Sequence, residues 1–86
     1  MSKIIGKFPL QVTDEQVIKM PKDAEILSVQ NQFEKICIWA KIDPEAKKVD
    51  RNIQIRGTGH DATDTGKFLG TVQMSNGELV FHVFEK

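Results

Sequence analysis

The chain has 86 residues, 40% hydrophobic and 28% charged, with 12 Lys and Arg against 12 Asp and Glu for a formal charge of zero. That length suits one core, and a single domain over residues 1–86 is expected; the composition excludes wholesale disorder. Balanced charge leaves no basic excess to neutralise a polyphosphate backbone, so bulk binding of DNA or RNA is not expected.

The opening Met1-Ser2-Lys3-Ile4-Ile5-Gly6-Lys7 has no secretory h-region. No apolar run approaches the roughly 18 residues that span a bilayer, so a cytoplasmic protein without a membrane segment is expected. Lys3 to Leu10 reads as a strand, and Pro9 near its end places it at a sheet edge, because proline has no donor for a ladder. Thr13-Asp14-Glu15-Gln16 fits the Ser/Thr-x-x-Glu/Gln capping pattern, which gives a short helix over 14–20. The same residues also read as a strand from Gln16 to Met20 ended by Pro21. The segment is too short to display a 3.6-residue period, which favours the strand.

Ala24 to Gln30 and Lys35 to Ile42 form the next pair of strands, separated by Asn31-Gln32-Phe33-Glu34. In the second, Ile36, Ile38, Ala40 and Ile42 share one face while Cys37, Trp39 and Lys41 share the other. Apolar on nearly both faces, it reads as a central strand. Cys37 is the one cysteine of the chain. It cannot form an internal disulfide, suits a reducing compartment, and reads as an inert thiol because nothing nearby in sequence lowers its pKa.

Asp43-Pro44-Glu45 breaks the strand, and 46–50 reads as a charged surface loop. Arg51 to Arg56 then alternates, with Ile53 and Ile55 against Asn52, Gln54 and Arg56, the pattern of a half-exposed strand. Lys35, Lys41, Lys47, Lys48, Arg51 and Arg56 crowd the middle of the chain. They interleave with Glu34, Asp43, Glu45 and Asp50, so they read as a solvated face and not as an anion platform.

Residues 57–66 lack any apolar side chain larger than alanine and must form a loop. Within it Gly57, Thr58, Gly59 and His60 are the candidate ligand site. Two glycines leave backbone amides free to turn toward an anion, Thr58 adds a hydroxyl, and His60 can donate to a phosphate. The Gly-x-Gly-x-x-Gly frame is absent and Asp61 and Asp64 follow, so a plain turn is the competing reading. No ligand spacing joins His60, Asp61, Asp64, His82 and Cys37, so neither a metal nor a cofactor is expected.

Phe68 to Met74 and Leu79 to Glu85 flank Ser75-Asn76-Gly77-Glu78, and Asn-Gly between alternating runs signals a hairpin with a type I′ turn. Counting outward from Ser75 opposite Glu78 pairs Met74 with Leu79, Val72 with Phe81, Thr71 with His82, Gly70 with Val83 and Leu69 with Phe84. Phe68, Val72, Met74, Leu79, Phe81 and Val83 then form an apolar face, assigned to the core. Leu69, Thr71, Gln73, Val80, His82 and Phe84 form a mixed face, which is the candidate interface. It suits a partner, a second protomer or a ligand, with cover by a loop or by the first strand as the alternative. Trp39, Phe33, Phe68, Phe81 and Phe84 lack the interleaved cations of a base-stacking platform and read as packing residues. The expected fold is all-β: a small sandwich or partly open barrel of about five to seven short strands with a C-terminal hairpin.

Several blocks carry a resemblance: Val-Ile-Lys-Met-Pro-Lys-Asp-Ala-Glu-Ile-Leu-Ser-Val-Gln at 17–30, Ile-Trp-Ala at 38–40, Asp-Pro at 43–44, Gly-Thr-Gly-His at 57–60, Gly-Thr-Val-Gln at 70–73 and Leu-Val-Phe-His-Val-Phe-Glu at 79–85. From about Leu10 onward the chain resembles a family of small uncharacterised proteins of tailed bacteriophages and prophages, which carries no established activity or catalytic residue. The resemblance implies an accessory protein made in the cytoplasm of an infected bacterium. The expectation is a non-enzymatic binding protein that inhibits a host factor or counters antiviral defence, by blocking a host protein or sequestering a small anionic signalling ligand, with homo-oligomerisation open. A phage structural or assembly accessory is the alternative, followed by a small hydrolase using His60 with Asp61 or Asp64.

Overall fold

A computed structural model describes residues 2–86 as an all-β fold of seven strands in two antiparallel sheets. The strands are β1 (Ile4–Pro9), β2 (Glu15–Pro21), β3 (Glu25–Gln32), β4 (Lys35–Ile42), β5 (Lys48–Gly57), β6 (Lys67–Met74) and β7 (Leu79–Glu85). One sheet has the order β1-β4-β3 and the other β2-β5-β7-β6, consistent with a sandwich and not with a closed barrel. Among the described residues, no helix is long and apolar enough to cross a membrane.

Burial follows the alternation. Ile36, Ile38, Ala40 and Ile42 of β4 meet Ile53, Ile55, Val72 and Val83 of the other sheet in one buried cluster. β4 is central in its sheet, as its two apolar faces require: Cys37, on the opposite face from Ile36 and Ile38, is buried too. β1 is an edge. Leu10 N donates to Ile36 O at 2.8 Å, so ladder bonds fall at Leu10, Phe8, Gly6 and Ile4, and Pro9 lies among the outward positions where a missing donor does no harm. The other edges are also blunted: β2 carries Lys19 and ends at Pro21, and β3 and β6 each hold a bulge.

Residues 15–21 are strand, and the capping-pattern residues do other work. Gln16 Nε2 donates to Gln11 O at 2.7 Å and to Thr13 Oγ1 at 3.2 Å, while Gln16 Oε1 accepts from Gln11 N. They tie down the loop ahead of β2. At the C-terminal hairpin Asn76 and Gly77 have φ of 58° and 89°, the values of a type I′ turn, and Glu78 N donates to Ser75 O at 3.1 Å.

The expected register holds from Met74↔Leu79 to Gly70↔Val83 and then shifts. A bulge between Phe68 and Gly70 places Phe68, not Leu69, opposite Phe84. One inserted residue reverses the facing of everything beyond it, so Leu69 turns inward against the core and Phe68 turns outward. Phe68 is therefore 55% exposed and meets Phe84 edge to face, with ring centroids 5.6 Å apart. Leu79, the other end of the face assigned to the core, is also exposed, being next to the turn.

Near both bulges an ion pair joins β5 to β7 within one sheet. Arg51 clasps Glu85 with Nε and Nη2, the latter 2.9 Å from Oε1, and Nη1 donates to Ala24 O at 3.0 Å. The hydrogen bond to Glu85 raises the Arg51 pKa above its ordinary value against the opposing effect of burial.

Candidate binding surface

The candidate ligand loop leaves β5 at Gly57, which pairs with Phe81 of β7. Two of its backbone amides are already engaged. Thr58 N donates to Val80 O at 3.2 Å and His60 N to Gly57 O at 3.0 Å. The imidazole of His60 lies over Gly57, where an added Cβ would meet ring atoms at 3.1 Å, so this close approach depends on glycine. Gly59, with φ of 92°, forms the open apex. The Thr58 hydroxyl is 2.8 Å from Nε2 of His82, whose Nδ1 is 2.9 Å from the Thr71 hydroxyl. A neutral imidazole offers one donor and one acceptor, and two hydroxyls complement it in either tautomer. Thr71 and His82 are thus directly opposite each other, and the candidate loop is fastened to the candidate interface face.

The rest of the loop lies across the outer face of β5. Gln54, which alternation places toward solvent, is fully buried: Nε2 donates to Asp64 O at 3.0 Å and Oε1 accepts from Gly66 N at 2.9 Å. Arg56 Nε donates to Asp61 O, and its Nη1 to Asp14 O. The Asp61 carboxylate accepts from the hydroxyl and amide of Thr63, and those bonds hold its pKa below the ordinary aspartate value. Loop cover therefore accounts for the β5 side of the mixed face. On the β6 side Thr71, Gln73 and Phe68 remain exposed, while Val80 and Phe84 are half-buried and Leu69 has gone to the core.

Four connections gather at one end of the sandwich: 10–14, 33–34, 57–60 and 75–78. At that end stands Phe33, 91% exposed, with φ of 54°, followed by Glu34 with φ of 63°. A left-handed conformation costs a side-chain-bearing residue about 1–2 kcal/mol, and for a bulky aromatic it is an outlier. The two-residue β3–β4 turn requires it, and the residues flanking Phe33 are bonded to the other sheet's hairpin. Asn31 Oδ1 accepts from Glu34 N at 2.9 Å, Asn31 Nδ2 donates to Gln73 O at 2.9 Å, and Glu34 Oε2 accepts from Ser75 N at 3.1 Å. The sequence pattern places Phe33 among the packing aromatics, yet at 91% exposure it lies outside the core. The available signal was its place at the apex between two strands that already fill their alternating faces.

Two cavities flank His60. One, of about 110 Å³, is bordered by Val12, Asp14 and Ile55; the other, of about 200 Å³, by Thr58, Glu78, Leu79 and Val80. Both share Gly57, His60 and Phe81. Half-buried Phe81 borders both, and Val12 and Leu79 are exposed apolar side chains, one at each cavity.

The chain matches the family model described as a domain of unknown function (DUF7352) over residues 1–86. It belongs to that family. No curated protein and no solved structure matches it. The family fixes no chemistry, so the function rests on the residues above.

Proposed function

We propose that this domain is a small non-enzymatic binding protein that blocks a host protein inside an infected bacterium, and so inhibits a host factor or counters an antiviral defence. The carrying observation is Phe33: a solvent-exposed aromatic at the apex of the β3–β4 hairpin, between Asn31 and Glu34, whose side chains bond to Gln73 O and Ser75 N of the other sheet's hairpin. The two-residue turn between Gln32 and Lys35 imposes the positive φ at Phe33 and Glu34, and aromatic side chains are enriched at protein interfaces. The cytoplasmic, phage-encoded setting is supported by the resemblance of the short sequence blocks. Between the two versions of the expectation, protein blocking is favoured over capture of an anionic ligand, because Thr58 and His60 direct their amides to Val80 O and Gly57 O.

The test is affinity capture from an infected lysate with the wild-type domain and Phe33→Gly in parallel. Glycine accepts the φ of 54° without strain, so the variant should melt at or above the wild-type temperature. The expected result is a stably folded variant that has lost the captured protein. Full retention of that protein by Phe33→Gly would refute the reading.

A further inference from the structure

We propose that the two cavities flanking His60 form one groove for a short extended peptide segment that carries two apolar side chains between basic residues. The inference rests on the binding-protein reading and names the chemistry of the partner segment at the same end of the sandwich.

The groove is lined by apolar side chains and two carboxylates. Phe81 borders both halves, with Val12 and Ile55 on one side and Leu79 and Val80 on the other. Asp14 borders one cavity and Glu78 the other, and both are exposed. Among the described residues neither carboxylate enters a salt bridge: the nearby Arg56 turns its guanidinium to the Glu15 carboxylate and to the backbone oxygens of Asp14 and Asp61. No Lys or Arg lines either cavity. An anion would meet two carboxylates at this loop, whereas a cation-flanked apolar segment meets complementary charge at both ends.

Two cavities separated by a single imidazole call for two side chains on the same face of one extended chain, about 7 Å apart at positions i and i+2. His60 borders both cavities and lies between them.

The experiment uses the full chain, isotope-labelled, titrated with acetyl-Lys-Leu-Gly-Val-Lys-amide and with acetyl-Glu-Leu-Gly-Val-Glu-amide. The basic peptide is expected to shift the resonances of Val12, His60, Leu79 and Phe81 saturably and to bind at least tenfold more tightly than the acidic one. In Asp14→Lys/Glu78→Lys that preference should reverse, with an unchanged thermal melt establishing that the fold survives. Equal binding of the two peptides, no shift at these residues, or shifts of the 58–60 amides by inorganic phosphate instead would each overturn the proposal. Because Phe33 borders neither cavity, retained Phe33-dependent capture alongside a failed peptide titration refutes the groove alone, and lost capture dependence alongside successful titration refutes the Phe33 anchor alone.

Discussion

Gln54 is the residue whose role departs furthest from its sequence pattern, and its replacement gives the sharpest test of how residues 58–66 are held. Gln54→Ala removes a donor to Asp64 O and an acceptor for Gly66 N. Each hydrogen bond contributes about 1 kcal/mol net, and a partner left buried and unsatisfied costs a further 1–3 kcal/mol. If the loop lifts to hydrate its freed groups, the second term shrinks but the burial of the β5 face is lost. The expected cost is about 2–4 kcal/mol, a large fraction of the roughly 4–13 kcal/mol available to a domain of this length. Urea unfolding measures it, and exchange of the Gly66 amide should accelerate in parallel. Asn52, exposed on the same face of the same strand, is the control, and Asn52→Ala should change stability by less than about 0.5 kcal/mol.

Gln54→Glu refines the test. The carboxylate still accepts from Gly66 N but sets a second oxygen against Asp64 O in a buried site. The new acid should therefore have a folded-state pKa above its unfolded value of about 4.3. Between those two pKa values the folded state binds more protons than the unfolded one, so stability must fall as pH rises through that window. A cost below about 1 kcal/mol for Gln54→Ala, or a Gln54→Glu variant as stable at pH 7 as at pH 4, would refute the account of the loop.

Glu85→Gln should destabilise by about 2–3 kcal/mol, since both side chains of the pair are only 19% exposed and Arg51 would keep its charge without its partner; chemical denaturation measures this. Phe81→Ala should cost about 2–3 kcal/mol, below the range for a fully buried phenylalanine because its side is open to the cavities, and Phe68→Ala about 1 kcal/mol; paired thermal melts at matched concentration would show the order. Asp61 titrates below its ordinary value because Thr63 bonds the ionised form, so its stabilising contribution is present above the unfolded pKa and is lost as pH falls through the folded one. Thr63→Ala should move that titration back up, as followed by carboxyl NMR. His60→Ala should change stability by less than about 0.5 kcal/mol, since the imidazole is exposed, and a larger loss in a melt would show that His60 is structural.

The strands were legible because two-residue periodicity is a local property that tertiary packing reinforced. β4 could be placed centrally, β1 at an edge and the last turn at Asn76-Gly77 from side-chain chemistry alone. The β6 bulge was not legible by counting, because counting presumes one residue opposite one residue. It exchanges Phe68 and Leu69 between faces, and a phenylalanine and a leucine are both acceptable inside, so hydrophobicity could not reveal the exchange. Gly70 was the available cue: a Cβ there would lie 3.3 Å from Val29, so glycine marks the close approach of β3 to β6 just beyond the bulge.

The candidate binding surface was obscured for a different reason. Its parts lie far apart in sequence, at Val12, Phe33, His60 and Glu78, and they share an end only because both sheets run their connections to it. Gly57-Thr58-Gly59-His60 looked like an anion cradle as an isolated string, but the use of a backbone amide is decided by what passes beside it. Here Val80 O passes beside Thr58, and the amide goes to β7. The same neighbour brings Glu78 to the rim, so the fold that withdraws a donor from the loop also supplies a carboxylate beside it. Both changes act in one direction: they weaken the attraction of the 57–60 loop for an anion and strengthen it for a cation-flanked apolar chain.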